Sequence, residues 1–166
     1  NTIGWMMGKD VYDEDGDATT TTRWSIGDPL HSRPITITYG AHGGDYDQPV
    51  IKLLMAGNDG EIRLFNDYNG KEEWAFLPQE MLGYQANLAS GSDGVHTYGV
   101  DNTATVWVND HNNNGIIERP DSDGNNDTVS AYVSMRRGTD GTGDSYIYAL
   151  DITPGSTLTN KTSTSD

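Results

Sequence analysis

The sequence predicts an all-β fold, a partial β-propeller of about three to four blades. Three observations carry that expectation. The 166 residues include 20 glycines and are only 34% hydrophobic, so the core is modest and turns are frequent. Short runs rich in Val, Ile, Thr, Tyr and Trp are bounded by Gly, Asn or Asp, the punctuation of strands. A motif also recurs. Asp59–Gly70 aligns without gaps on Asp144–Gly155: Asp59 meets Asp144, Ile62 meets Ile147, Phe65 meets Leu150, Asn66 meets Asp151 and Gly70 meets Gly155. A weaker copy starts at Asp101, and the three starts lie 42 and 43 residues apart. A four-stranded propeller blade has about that period. Three or four blades lie at the bottom of the usual range of about four to eight. The chain is therefore expected to be part of a larger propeller, or to complete one with another chain.

The predicted strands follow in order. Ile35–Tyr39 begins after Pro34, with Pro29 and Pro34 setting the preceding turn. Val50–Ala56 is an apolar run ending at Gly57. Glu61–Phe65 follows the Asn58-Asp59-Gly60 turn as an inner strand, and Gly70 turns the chain into Glu72–Phe76 with Trp74. His96–Val100, Ala104–Val108, Thr128–Ser134 and Ser145–Asp151 complete the set. Pro78–Asn87 alone suits a short helical turn, because no 11-residue window shows strong helical periodicity. Three segments result: an acidic lead-in at 1–22, blades at 23–154, and a Ser/Thr-rich tail at 155–166 that is expected to leave the compact body.

Charge and composition exclude several functions. With 25 acidic and 10 basic residues the net charge is −15. Such a surface repels nucleic acid and anionic lipid, which require cationic contacts, and attracts divalent cations. No cysteine is present, which excludes disulfides, thiolate zinc sites and cysteine nucleophiles. No apolar run approaches the roughly 18 residues of a membrane span. The chain begins at Asn1, so it is expected to be processed or a piece of something longer.

The residues that carry chemistry lie at Asp110–Glu118. Oxygen-bearing side chains fall at Asp110, Asn112 and Asn114, followed by Gly115, the Ile116 carbonyl and Glu118. Alternate side chains of hard oxygen character, then a glycine, then a carbonyl, is the ligand arc of a Ca2+ loop. The flanks read as strands, so only the arc resembles an EF-hand. Asp121 stands at the twelfth position as an optional ligand, with Asp123 and Asp127 as further oxygen donors; otherwise 121–127 reads as a surface loop. A second, weaker candidate is Asp13, Asp15 and Asp17 with Gly16 at the turn. Its alternative is a solvated acidic linker. Asp28, His31 and Ser32 suggest hydrolytic chemistry, but adjacent residues rarely give triad geometry. They are read as structural, with His31 and Arg33 bonding a neighbouring strand. Trp24, Trp74, Trp107, Tyr39, Tyr98 and Tyr146 are read as packing between blades.

Several segments together resemble a known family. They are Arg23-Trp-Ser-Ile-Gly-Asp-Pro-Leu-His-Ser-Arg-Pro34, Ala56-Gly-Asn-Asp-Gly-Glu-Ile-Arg-Leu-Phe-Asn66, Gly70-Lys-Glu-Glu-Trp-Ala-Phe-Leu-Pro78, Tyr98-Gly-Val-Asp101 and Met135-Arg-Arg-Gly138. In this order they resemble the C-terminal β-propeller of PilY-type proteins, the tip-associated adhesins and biogenesis factors of type IV pili. The match runs from about Gly4 to about Thr153. Thr139 and Ile62-Arg-Leu-Phe65 depart from the family pattern. The resemblance implies a modified quinoprotein-like propeller of seven blades, carrying a calcium loop that regulates pilus extension and retraction and contributes to adhesion. The residues that match that loop are Asp110, Asn112, Asn114, Ile116 and Glu118. It also implies a cell-surface location, partners among pilins, pilus components and host or abiotic surfaces, and no enzymatic activity. Gly70-Lys-Glu-Glu-Trp74 is similar as well to the repeat of pyrroloquinoline-quinone dehydrogenases, so a quinoprotein-like oxidoreductase fragment is an alternative. A structural surface or filament module stapled by calcium is another.

Overall fold

The computed structural model describes residues 2–19, 21–23, 25–91, 94, 96–135, 145–155 and 160–163. Trp24, Arg136, Arg137, Thr139 and Asp144 lie outside them. Among the described residues, eight strands form two antiparallel sheets of four. The first sheet, in spatial order, is β1 (Ile35–His42), β2 (Asp45–Ala56), β3 (Ile62–Asn66) and β4 (Glu72–Phe76). The second is β5 (Thr105–Asn109), β6 (Thr128–Ser134), β7 (Ile147–Asp151) and β8 (Asn160–Ser163). Helix α1 (Thr2–Met6) precedes them. A 3-10 turn (Gln79–Tyr84) and α2 (Gln85–Ser90) cross from the first sheet to the second, where a helical turn was expected.

The all-β reading holds, and the sheets set their own spacing. Ile62 and Ile147, matched in the sequence repeat, each open the third strand of a sheet. The weaker copy at Asp101 leads instead into β5, a first strand. The sheets therefore recur at twice the interval that the three motif starts suggest, and the described residues hold two four-stranded units rather than three or four. His96–Val100 is irregular rather than a strand. Its Gly99 lies against the 58–60 turn, where a Cβ would come 2.7 Å from the Gly60 nitrogen, and its N–H donates to Asn58 Oδ1 at 3.2 Å. Residues 160–163 also depart from expectation. They pair with β7 as the fourth strand of their sheet, because a ladder needs only backbone groups.

The two sheets share one core. Alternating residues of β1, β2 and β3 (Ile37, Tyr39, Leu54, Ala56, Ile62, Leu64) form one cluster with those of β6 and β7 (Val129, Ala131, Val133, Tyr148, Leu150). The rings of Phe76 and Tyr148 meet edge-on at 6.1 Å, and Tyr39 Oη donates to the Ile152 carbonyl at 2.9 Å. The opposite face of the second sheet is open. Trp107, Tyr132 and Ile147 stand there 52%, 43% and 49% exposed, so Trp107 packs against no described sheet. Trp74 packs against the core as expected.

Polar ties join the sheets at their ends. Asp101 is fully buried and accepts the His31 and Ser32 N–H groups at 2.6 and 2.9 Å, with His31 Nδ1 2.6 Å from its other oxygen. Burial alone would raise the Asp101 carboxyl, but these bonds hold it below its usual range. The Arg33 N–H donates to Thr103 Oγ1. His31, Ser32 and Arg33 thus serve as a strap between sheets, not as a triad. Arg63, 3% exposed, contacts Asp59, Glu61 and Glu72 at 2.7, 2.7 and 3.3 Å and donates to the Ser25 carbonyl, fixing the segment before β1 to β3. Burial pushes Glu61 up to about 7 despite Arg63.

Candidate metal centre

The β5–β6 connection carries Asp110, Asn112, Asn114, Ile116 and Glu118. Its local shape comes from short side chains bonding their own backbone. Asp110 Oδ2 accepts the Gly115 N–H at 2.7 Å and its Oδ1 accepts the Asn114 N–H at 3.2 Å. Asn112 Oδ1 accepts the Asn114 N–H at 3.0 Å, and Asn114 Oδ1 accepts the Ile116 N–H at 2.7 Å. Asn113 and Gly115 take φ of 54° and 78°, which wind the loop tightly. Exposure then alternates. Asp110, Asn112, Asn114, Ile116 and Glu118 are half-buried, while His111, Asn113 and Gly115 are exposed. The predicted ligand positions therefore share the inner side of the loop.

Tertiary contacts hold this loop on both flanks. Tyr46, at the tip of the β1–β2 hairpin, donates its Oη to the Asn114 carbonyl at 2.9 Å. The Ile117 N–H donates to the Tyr39 carbonyl at 3.1 Å. Ile116 lies against β1 at Gly40, where a Cβ would come within 3.2 Å of its side chain. Arg119 donates to the Asp127 carbonyl at 3.1 Å and to Asp151 of β7 at 2.8 Å.

The 121–127 segment is a surface loop only in its middle. Residues 122–126 are exposed, but Asp121 and Asp127 are buried at 5% and 0% exposure. Asp127 accepts the His111 N–H at 2.8 Å on one oxygen and the Glu118 N–H at 2.9 Å on the other. It clamps the two ends of the candidate arc, a role the sequence does not reveal. Asp121 Oδ1 accepts the Asp123 and Asn125 N–H groups, whereas its buried Oδ2 has no hydrogen-bond partner. Two carboxylates, two amides and a carbonyl are hard oxygen donors of the type calcium takes; the buried Asp121 oxygen lies 3.7 Å from the His111 ring.

The second candidate loop repeats the local bonding. Asp13 Oδ1 accepts the Ala18 N–H at 2.8 Å, Asp15 Oδ1 the Asp17 N–H at 3.2 Å, and Asp17 Oδ1 the Thr19 N–H at 2.7 Å. Gly16 and Ala18 take the positive φ of 73° and 60° that Asn113 and Gly115 show. Yet residues 12–19 are all exposed. The side chains that converge are Asp10, Asp13 and Asp15, whose oxygens lie within 4.8 Å of one another; among the described residues no other such trio of His, Asp or Glu occurs. Asp17 turns away to Thr19, whose Oγ1 and N–H hold its carboxyl low. The buried Asp10 replaces Asp17 in the cluster, and only its place three residues before Asp13 hinted at that.

No family model matches the chain, and no solved structure matches it significantly. A curated relative does. It is the type IV pilus biogenesis factor PilY1 of Pseudomonas aeruginosa (strain UCBPP-PA14), 31% identical over an alignment of 147 residues that covers 77% of this chain. The sequence resembles that protein over this stretch. The chain spans 11% of that protein's length. Among the described residues no helix is long and apolar enough to cross a membrane.

Proposed function

We propose that the chain is a calcium-binding β-propeller module of a PilY-like cell-surface protein, supporting type IV pilus biogenesis, control of retraction and surface adhesion. The observation that carries this reading is the half-buried oxygen arc from Asp110 to Glu118, in a sequence related to PilY1. Asp110, Asn112, Asn114 and Glu118 supply side-chain oxygens and Ile116 its carbonyl. A bound calcium ion supplies the positive charge that lets these oxygens crowd together. The loop touches the β1–β2 hairpin through Tyr46, so ordering the arc also orders a surface of the first sheet. That surface would meet a pilin, another pilus component, or a host or abiotic surface. The open face around Trp107, Tyr132 and Ile147 suits further blades of a larger propeller. The module is non-enzymatic in this reading; quinone reconstitution in a dye-linked alcohol assay should give no turnover.

Isothermal titration at millimolar calcium tests the site. Heat that Asp110→Ala abolishes is expected, and its absence would remove the proposal. In the parent protein, Asp110→Ala should impair pilus function under calcium limitation. The contacts of the loop with both sheets favour a second reading, a calcium staple. Chelation separates them: a staple predicts global unfolding, a regulatory loop only local loosening.

A further inference from the structure

We infer that the cleft between α1 and the first sheet takes a basic side chain, lysine or arginine, of a partner polypeptide. The inference does not depend on calcium at the Asp110 loop. The cleft has a volume of about 350 Å³, at the small end for ligand pockets, which suits one long side chain. Ile3 of α1, Met7 just after it and Leu77 just after β4 give it apolar walls. Its charged lining is Glu61, Arg63 and Glu72. Ile3 and Met7 stand one helical turn apart, with the Met7 N–H on the Ile3 carbonyl at 3.1 Å, and both are 73% exposed. That exposed apolar pair offers a polypeptide more surface than a free amine would cover, and methionine adapts its shape to a partner.

Charge decides the sign of the ligand. Arg63 Nη1 meets Asp59, Nη2 meets Glu61 and donates to the Ser25 carbonyl, and Nε faces Glu72. Ringed by acceptors, the guanidinium has little to offer an anion. Three carboxylates about one guanidinium leave negative charge in surplus. Arg23 does not line this cleft; it stacks on Trp5 at 3.6 Å. Glu61 is 8% exposed, and among the described residues no hydrogen bond reaches its Oε1. Buried carboxylate oxygens are normally satisfied, so this one suits a donor that a ligand brings. A lysine or arginine brings charged donors on an apolar stem, and the stem can lie along Met7 and Leu77. The ionised form of Glu61 is the one a cation prefers. Burial pushes its carboxyl up to about 7, with Asp59 and Glu72 adding to the rise and Arg63 and Arg23 opposing it.

The test is an NMR titration of the full chain with the acetylated, amidated tripeptide Leu-Lys-Leu. At pH 8 it should bind and shift the signals of Met7, Glu61 and Leu77, while its acetyl-lysine and glutamate counterparts do not. Affinity should rise about tenfold from pH 6 to pH 8, as the ionised share of Glu61 grows. Glu61→Gln keeps an acceptor for Arg63; it should weaken binding about tenfold at pH 8 and flatten the pH dependence. Met7→Ser changes an exposed side chain and should weaken binding about threefold without loss of folding. Asp67→Asn removes one exposed charge elsewhere and should change little. Equal losses in Glu61→Gln and Asp67→Asn would mean diffuse attraction to the acidic surface and would overturn the site. So would an acetyl-lysine peptide that binds as tightly, or affinity that stays level between pH 6 and pH 8. If n-butylamine binds as tightly as the peptide, the occupant is a free amine and the polypeptide assignment is overturned.

Discussion

Two loops of this molecule share a local design and differ in everything around it. In each, the first aspartate accepts the N–H five residues on, and the third and fifth positions accept the N–H two residues on. In each, the fourth and sixth positions take positive φ. The Asp13 loop stands in solvent with its oxygens exposed. The Asp110 loop packs against the first sheet through Tyr46 and Ile117 and is clamped by Asp127. Short-range hydrogen bonding thus winds the same turn in solvent and against packed strands. Burial is what sets the two loops apart.

The clamps offer the largest contrast. Asp127→Ala strands two backbone N–H groups and should cost about 3 kcal/mol, besides weakening calcium uptake. Asp10→Ala, which loses bonds at 2.9 and 3.4 Å to Glu14 and Asp15, should cost about 1 kcal/mol. Denaturant titration of the two variants would undo the comparison if their order were reversed.

Calcium itself comes next. At a concentration about a hundredfold above Kd it should stabilise the chain by about 2.7 kcal/mol, a rise of about 5–10 °C in melting temperature. Asp110→Ala should erase that rise and Asp13→Ala should leave it intact. Calorimetric scans with and without chelator decide this, and equal losses would place the loops on one footing.

A smaller effect comes from Glu61, away from both loops, and sets the background for such scans. Its folded carboxyl titrates at about 7 rather than its ordinary 4.5. Its contribution to stability is fully present below 4.5 and is lost as pH rises through 7. The calcium-free melting temperature should therefore fall by about 2–4 °C from pH 5 to pH 8, and Glu61→Gln should flatten the slope.

The sixth loop position sharpens the comparison at the smallest scale. Ala18 holds φ of 60°, where an L side chain is strained, and Gly115 holds 78° at no such cost. Ala18→Gly should stabilise and Gly115→Ala destabilise, each by about 1 kcal/mol. Changes of the same sign would show that the loops do not share this turn.

Much of the candidate centre was legible in the sequence because it is local. The alternation of Asp110, Asn112 and Asn114 with Gly115 carries its own instructions, since each side chain reaches backbone only two to five residues away. The strands were legible for a similar reason: β-branched and aromatic runs between turn residues suit a pleated, half-buried surface. What tertiary structure alone decided is non-local. Spacing could not reveal that the copy at Asp101 leads a first strand, that Trp107 faces outward, or that residues 160–163 add a strand. Nor could it tell Asp121, Asp123 and Asp127 apart, three acids within seven residues. Packing buries two of them, saturates Asp127 with N–H donors from His111 and Glu118, and leaves Asp121 one bare oxygen. Hydrogen bonds within a turn follow from residue type, but burial depends on which distant surfaces close over a residue.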